Sequence, residues 1–252
     1  FTSAASDSSC GAGVQADLKT FQRLGAYGLC AVTAVTAQDG LRVDGIWPLP
    51  PSAIAAQARA ALRARRVAAV KTGMLWGPGT IRAVARLLEG ARVRLLVVDP
   101  VLATHGGDPL AAPGAAEAMA RFLFPLATLV TPNLREAGLL AGVAPRGERG
   151  LAEAARRILA MGPRAVLIKG GHGEGEATDW LFDAAGKTAF TAARVRGVRL
   201  HGSGCILSAA IAAGGARGLS TRDAVREGKA YVVRQIRAAI PAARGAALAV
   251  HI

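Results

Sequence analysis

The segment His201–Cys205 has the composition of a loop that binds phosphate. It reads HGSGC and continues directly into Ile206–Gly214, an Ala-rich apolar stretch typical of a buried helix. A glycine-rich turn at a helix N-terminus presents free backbone N–H groups and the positive end of the helix dipole to an anion. No Gly-Lys-Ser/Thr sequence follows, so the loop is not a P-loop. We therefore predict that Gly202, Ser203 and Gly204 bind an anion.

Cys205 falls in the first turn of this predicted helix. Because a helix N-terminus stabilises a thiolate, the pKa of Cys205 is expected to fall. Two interpretations remain open. In one, Cys205 is only a small residue that fits a tight helix start. In the other, it accepts the proton of an attacking hydroxyl group or orients that group.

Polar side chains follow five apolar runs, at the points where strands are predicted to end. These residues are Gln38, Lys71, Asp99, Asn133 and Lys169. In an open parallel sheet the carboxyl ends of the strands line one edge, and ligands bind along that edge. A single polar residue at a strand end means little, but five of them predict a shared site.

Two carboxylates in these segments could bind a cation. Asp99 follows the apolar run Leu95–Val98, where a buried carboxylate is costly unless it is paired or near a cation. Glu136 lies one turn into the helix after Asn133, which it could equally cap. Asp99 and Glu136 together could hold Mg²⁺, partly through water, since this ion keeps much of its hydration shell. Lys169 could neutralise phosphate charge as it develops.

A second loop of small residues, Ser6–Gly13, opens a helix that carries Asp17 and Lys19. Asp17 could accept a hydrogen bond from a substrate hydroxyl or from a ring amino group. Alternatively, Asp17 and Lys19 belong to a solvated first turn that the helix dipole and side-chain pairing favour.

Short apolar runs alternate with longer helical segments along the chain, which predicts βαβ units and a mostly parallel sheet with helices on both faces. The predicted strands are Leu29–Thr36, Val67–Val70, Arg94–Val98, Thr128–Val130 and Ala165–Ile168. The predicted helices are Gly13–Leu24, Pro51–Ala64, Thr80–Leu88, Ala115–Leu123, Leu134–Ala141, Leu151–Ala160, Ile206–Ala216 and Thr221–Ala239. Because no repeat or long linker divides the chain, residues 1–252 are predicted to form a single α/β domain.

Composition argues against several classes of protein. The formal net charge is +14, but the arginines are spread along helix-like segments and no basic run alternates with stacking aromatics, so no nucleic-acid partner is expected. No apolar run reaches the roughly 20 residues that a membrane span needs, so no membrane partner is expected. The three cysteines are far apart and suggest neither a zinc site nor a disulfide framework. A reducing cytoplasm is the expected location.

Nine stretches between Ser6 and Cys205 resemble the hydroxymethylpyrimidine/phosphomethylpyrimidine kinases of thiamine biosynthesis, within the ribokinase-like superfamily. They read SDSSCGAGVQADLKTFQRLGAYG, TAVTAQ, KTGML, VVDPV, GGDPL, TPNLREA, VLIKGGH, DWLFD and HGSGC. The resemblance implies a ribokinase-like three-layer α/β/α fold and a kinase that uses ATP and Mg²⁺. Its substrates would be 4-amino-5-hydroxymethyl-2-methylpyrimidine and then the monophosphate, which becomes the diphosphate. A homodimer is expected.

The resemblance also implies a role for each matching residue. The pyrimidine would contact Asp17, Gln38 and Met74, in a pocket lined by Ala5 and Val101. Mg²⁺ would be served by Asp99 and Glu136, and the ATP phosphates would be approached by Asn133 and Lys169. The anion hole would be formed by Gly202, Ser203 and Gly204, with Cys205 as the catalytic residue.

The sequence departs from the family pattern at Cys10, Leu200 and Ser203, and in the tail Ala242–Ile252. Two alternatives remain open. One is a pyridoxal or pyridoxine kinase of the same branch, whose substrate is also a flat ring with a hydroxymethyl group. The other is a non-catalytic relative that binds a pyrimidine or a nucleotide. The joint presence of four residues argues against it: Asp99, Glu136, Lys169 and Cys205.

The assignment of Cys205 predicts the behaviour of a Cys205→Ala variant. We expect turnover to fall far more than substrate binding, because the change removes the group nearest the attacking hydroxyl while leaving the ring pocket intact. Steady-state kinetics together with a direct binding titration would check this. Unchanged turnover would remove Cys205 from the catalytic role.

Overall fold

The computed structural model describes residues 1–90, 93–104, 106–170, 176–240 and 247–251. His172, in the Lys169–His172 motif, and residues 242–246 and 252 of the tail lie outside the described residues. Within the described ranges, no helix is both long and apolar enough to span a bilayer.

Nine strands form one sheet in the order β3-β2-β1-β4-β5-β6-β7-β8-β9. The strands are β1 Thr2–Asp7, β2 Cys30–Gln38, β3 Val43–Pro48, β4 Ala69–Thr72, β5 Leu95–Val98, β6 Leu129–Val130, β7 Ala165–Ile168, β8 Ala177–Asp183 and β9 Gly186–Ala192. The six strands from β2 to β7 in this order pair in parallel, while β3, β8 and β9 are antiparallel additions at the two edges.

Helices cover both faces of the sheet. They are α1 Gly13–Arg23, α2 Pro51–Ala64, α3 Pro78–Leu88, α4 Ala115–Ala118, α5 Leu134–Ala141, α6 Gly147–Leu159, α7 Ser203–Ala216 and α8 Thr221–Arg237. One core cluster contains Ile54, Ile81 and Ile158 with residues of the central strands, and a second contains Phe21, Ile211 and Tyr231. Because each face of the sheet buries its own apolar layer, the predicted three-layer α/β/α fold is confirmed.

Helix α7, which follows the predicted anion-binding residues, is deeply buried. Every residue from Ile206 to Gly215 is buried, because the Ala- and Gly-rich sequence lets the helix approach both the sheet and α8 closely. The helix begins at Ser203, three residues before the predicted start at Ile206. The residues Ser203 and Gly204 therefore form the first helical turn instead of a loop before it.

The sequence predicted the parallel strands well and the antiparallel strands poorly. The five predicted strands correspond to β2, β4, β5, β6 and β7. All of these except β2 are buried along their whole length. The edge strands β3, β8 and β9 were not predicted, because they are partly exposed and lack a continuous apolar run. Strand β1 was not among the predicted strands either; it has six residues and lies between β2 and β4.

The close packing of α7 predicts that Gly215→Ala destabilises the protein. A Cβ atom at Gly215 would lie 2.5 Å from Cδ2 and 2.7 Å from Cβ of Leu95, so α7 would have to move away from β5. We expect a loss of about 1–3 kcal/mol in the free energy of unfolding, measured by urea denaturation. Gly90→Ala is the matched control, because nothing lies within 4 Å of its added Cβ. Equal midpoints for the two variants would contradict the prediction.

Candidate active site

A cavity of about 550 Å³ lies at the carboxyl ends of the parallel strands. Twelve of the thirteen residues predicted for the site line it: Ala5, Gln38, Met74, Asp99, Val101, Asn133, Glu136, Lys169, Gly202, Ser203, Gly204 and Cys205. Asp17 is the exception. The sheet therefore brings together residues that lie up to 200 positions apart in the chain, as the strand-end argument predicted.

One end of the cavity has an apolar wall suited to a flat ring. Ala5 and Met74 are buried in a small cluster against which Val101 packs. The position of Met74 is fixed by its carbonyl oxygen, which accepts a hydrogen bond of 2.6 Å from the Thr33 hydroxyl. Gln38 supplies the polar edge of this wall, since an amide can both donate to and accept from an aminopyrimidine.

The floor of the cavity contains a nearly buried carboxylate, Asp99, which is 1% exposed. Its Oδ1 accepts hydrogen bonds from Lys169 Nζ at 2.7 Å and from Thr131 Oγ1 at 3.0 Å. Its Oδ2 accepts one from Ser208 Oγ at 3.0 Å. A buried charge is tolerated when it is paired and hydrogen-bonded in this way. Thr131 and Ser208 hold Asp99 in place, and the sequence analysis did not identify either residue.

Glu136 caps a helix and borders the cavity at the same time. Its Oε2 accepts from the backbone N–H of Asn133 at 2.8 Å, and Asn133 Oδ1 accepts from the backbone N–H of Glu136 at 2.9 Å. The two interpretations of Glu136 are therefore compatible. Burial raises the pKa of Glu136 to about 7; the Lys169 ammonium opposes this shift and the Asp99 carboxylate adds to it.

The pair Asp99 and Glu136 has the chemistry of a Mg²⁺ site. Among the described residues, no group of three or more His, Cys, Asp or Glu side chains could enclose a metal ion. Two carboxylates with an open side nevertheless suit Mg²⁺, which is usually held by one or two carboxylates, several waters and substrate phosphates. The Asp99 and Glu136 carboxylates repel each other, and a cation bound beside them in the cavity would relieve this repulsion. The donor set fits this ion.

The anion-binding segment lies at the start of α7. Gly202 is the residue before the helix and has a left-handed backbone with φ of 72°. A side chain there would strike Gly11, because an added Cβ would lie 2.0 Å from the Gly11 carbonyl oxygen. The N–H groups of the first turn have no partner within the helix, so they remain available to an anion. Lys169 Nζ would lie 3.2 Å from a Cβ at Gly204, which places a positive charge next to this turn.

The expected low pKa of Cys205 is wrong. Burial raises the pKa of the Cys205 thiol to about 11; the Lys71 ammonium opposes the shift, and the carboxylates of Asp99 and Asp17 add to it. The backbone N–H of Gly13 also lowers the pKa of Cys205, but together with Lys71 it does not outweigh desolvation. Cys205 is therefore a neutral thiol at neutral pH. This state favours a role in orienting a hydroxyl group over one in removing its proton.

Asp17 does not reach the cavity. The side chain is fully buried, and its two carboxylate oxygens accept from Lys71 Nζ at 2.9 and 2.8 Å. Its Oδ2 also accepts from Thr2 Oγ1 at 2.6 Å. The structure therefore contradicts both a solvated first turn and direct contact with a substrate ring. Asp17 instead anchors Lys71.

Lys71 is a fully buried lysine that borders the cavity beside Cys205. Burial lowers the pKa of Lys71, but the surrounding negative groups, chiefly the hydrogen-bonded carboxylate of Asp17 and also Asp99, together outweigh burial and hold the pKa well above its usual value, so the ammonium stays charged. From the sequence, Lys71 was predicted only to lie at a strand end, without a role of its own. Its place directly after the apolar run Val67–Val70 was the available signal, since a lysine is almost never fully buried unless it is paired.

The opposite end of the cavity has a second apolar wall that the sequence analysis missed. It is lined by Val195, Val198, Val232, Val233 and Ile236, from the segment after β9 and from α8. These residues carry no motif, and only the fold brings the two segments together. Lys229 lines the same wall and pairs with Asp179 at 2.7 Å. The cavity is also lined by Arg42, Arg194 and Arg199.

Comparisons with known proteins show the family of this chain. The family described as phosphomethylpyrimidine kinase matches residues 7–249. The chain is 46% identical over 244 residues to the hydroxymethylpyrimidine/phosphomethylpyrimidine kinase of Streptomyces coelicolor, covering 97% of this chain and 90% of that protein. It is 43% identical over 233 residues to the Salmonella typhimurium protein of the same name, covering 92% and 88%.

Solved structures of two kinds of kinase are similar to this chain. The pyridoxal kinase of Staphylococcus aureus in complex with ADP has a TM-score of 0.91 at 36% identity, covering 99% of this chain and 92% of that one. The phosphomethylpyrimidine kinase of Clostridium difficile has a TM-score of 0.81 at 36% identity, covering 92% and 96%.

The raised pKa of Cys205 predicts a slow reaction with iodoacetamide at neutral pH. Because the thiolate is the nucleophile, the rate should still be rising at about pH 10, approaching the pKa of about 11. The experiment uses a Cys10→Ser, Cys30→Ser protein, with the triple variant that also carries Cys205→Ser as the blank. A rate that levels off near pH 8 would show that the thiolate is stabilised after all.

Proposed function

Because the chain belongs to the phosphomethylpyrimidine kinase family, we propose that it transfers the terminal phosphate of ATP to 4-amino-5-hydroxymethyl-2-methylpyrimidine and then to the resulting monophosphate, in thiamine biosynthesis. One observation carries the proposal. A single cavity joins an apolar wall with an amide edge to an anion-binding helix start flanked by Lys169. A ring with a hydroxymethyl arm and a nucleotide phosphate would meet between these two parts.

The ring end of the cavity would hold the pyrimidine. Met74 packs softly against a flat ring, and Ala5 leaves the space that the ring needs. Gln38 would pair with the ring amino group and the adjacent ring nitrogen. This arrangement directs the hydroxymethyl group toward Cys205, which lies at the start of α7.

The phosphate end would position ATP and neutralise its charge. Lys169 and the free N–H groups after Gly202 would contact the transferring phosphate, and Asn133 would approach the other phosphates. Asp99 and Glu136 would hold Mg²⁺, which supplies further charge neutralisation on the nucleotide when it is bound. Phosphoryl transfer mainly requires positioning and charge neutralisation, so these residues are sufficient for the chemistry.

Cys205 would orient the attacking hydroxyl group by hydrogen bonding. A thiol with a pKa of about 11 is a poor acceptor of a proton at neutral pH in its resting state. The reaction tolerates this, because a loose phosphoryl-transfer transition state requires little removal of the proton by the protein. As the new O–P bond forms and the bond to ADP breaks, an oxygen of the transferred phosphate would accept the hydroxyl proton. The apolar wall of Val195, Val232 and Ile236 would hold the nucleotide base.

A pyridoxal kinase activity is the second candidate. The observation that favours it is the similarity to solved pyridoxal kinases over nearly the whole chain. Pyridoxal is also a flat ring with a hydroxymethyl group, and the apolar wall around Met74 does not exclude it. The named relatives with the higher sequence identity are pyrimidine kinases, which places the pyrimidine first.

We also propose a single domain over residues 1–252, a homodimer and a cytoplasmic location. The continuous nine-stranded sheet supports the single domain.

Two exposed apolar side chains on the β2–β3 hairpin, Val35 and Trp47, support the homodimer, since such patches often mark interfaces. The free thiols of Cys10, Cys30 and Cys205 support the cytoplasmic location, since a reducing compartment keeps cysteines unpaired.

Product identification by mass spectrometry tests the proposed function. The protein is incubated with ATP, Mg²⁺ and either the hydroxymethylpyrimidine or pyridoxal. We expect the pyrimidine to gain one phosphate and then a second, with EDTA abolishing both products because the nucleotide charge is no longer neutralised. A clear preference for pyridoxal would reject the substrate, and no product from either compound would reject the kinase activity.

A further inference from the structure

Asp7, at the end of β1, is a fully buried carboxylate that binds four hydrogen-bond donors. Its Oδ1 accepts from the backbone N–H and the hydroxyl of Ser9, both at 2.8 Å. Its Oδ2 accepts from the backbone N–H of Ala12 at 2.7 Å and contacts Nε2 of His201 at 2.9 Å. An ionised carboxylate can only accept, so Nε2 of His201 carries the proton of this bond. Asp7 therefore joins two segments that are 194 residues apart.

Burial by itself would raise the pKa of Asp7, but the hydrogen bonds from His201 and Ser9 outweigh burial and hold the pKa below its usual value. The carboxylate is therefore ionised at neutral pH. Its hydrogen bonds are charge-assisted, which makes them shorter and stronger than neutral ones. A bond of this kind suits a connection that must hold a fixed geometry.

The residues before α1 and the residues before α7 are packed in direct contact. A Cβ at Gly11 would lie 2.3 Å from Cδ2 of His201, and a Cβ at Gly202 would strike the carbonyl oxygen of Gly11. The segment that precedes α1, residues 8–12, therefore packs directly against the residues that precede α7. We call residues 8–12 the first loop.

The first loop also holds the ring end of the cavity. The Ser8 hydroxyl donates to the Gln38 carbonyl oxygen at 2.7 Å and accepts from the Gln38 N–H at 2.9 Å. Ser8 follows Asp7 directly in the chain. Ser8 is thus bonded to the backbone of Gln38, while its neighbour Asp7 is bonded to His201, one residue before the anion-binding turn.

We propose that Asp7 and His201 are positioning residues of the transfer reaction. Their hydrogen bond sets the distance between the anion-binding turn and the wall at the ring end of the cavity, whose polar edge is Gln38. This inference rests on the proposed function, because those two parts would hold the acceptor ring and the transferring phosphate. Neither residue needs to touch the reacting atoms. A displacement of about 1 Å between bound reactants can lower the rate by about 100-fold, so a single bond can have a large effect on turnover.

Substitution of His201 tests the proposal. His201→Leu removes the donor, whereas His201→Gln places an amide N–H at a similar reach from Asp7. We expect kcat of the Leu variant to fall by about 10- to 100-fold, with KM for the pyrimidine changed less than about threefold, because Gln38 and Met74 remain in place. We expect the Gln variant to recover most of the lost turnover. Equal kinetics for Leu and Gln, or an unchanged kcat in both, would overturn the proposal.

A pair of carboxylate variants controls for general loss of stability. Asp7→Asn should lower kcat in the same way as His201→Leu. Asp183→Asn is matched to it, since Asp183 also accepts from a backbone N–H, that of Ala185, and from a cationic side chain, Arg222, but at the β8–β9 turn away from the cavity. Its kcat should be unchanged. A fall in kcat that follows the melting temperature equally in both variants would assign Asp7 a purely structural role.

Hydrogen exchange separates failure of this proposal from failure of the proposed function. Loss of the His201 donor should speed exchange at the backbone amides of residues 8–12 and 202–205, and His201→Gln should restore protection. A wild-type protein that phosphorylates no substrate would reject the proposed function, whatever the exchange shows. Unchanged exchange in His201→Leu would reject the bond as the constraint on these segments, even in an active enzyme.

Discussion

The site depends on the burial of paired charges at the carboxyl edge of the sheet. Lys71 with Asp17, and Lys169 with Asp99, place two cations and two anions in the protein interior, largely out of contact with water. Such pairs add little to stability compared with well-packed apolar residues, because desolvation offsets much of their attraction. Their presence is better explained by the reaction, since they fix positive charge close to Cys205 and the start of α7 before any substrate arrives.

The sequence predicted the lining of the cavity well wherever a polar residue type and a strand end coincided. Gln38, Asp99, Asn133 and Lys169 each follow an apolar run, and parallel strands bring such positions to one edge. The buried parallel strands were predictable for the same reason. Edge strands such as β9 were not, because half-exposed strands carry a weaker pattern than a continuous apolar run.

Other features depended on tertiary contacts that no local pattern contains. The position of Asp17 relative to Lys71 is set by the packing of α1 on the sheet, which turns a predicted ligand contact into a buried ion pair. The thiol of Cys205 lies at a helix N-terminus, as predicted, but its pKa follows from the degree of burial, which the sequence alone does not give. The second apolar wall, including Val195 and Val232, required the segment after β9 to meet α8.

The distribution of charge has a consequence for how fast a nucleotide finds the cavity. Each of the two buried pairs has no net charge, so the whole formal net charge of +14 lies outside them, and Arg42, Arg194 and Arg199 are at the cavity itself. Such a surface attracts polyanions over roughly a Debye length, about 8 Å at physiological ionic strength. Salt therefore slows the encounter with ATP, while the steps that follow inside the cavity are shielded from it.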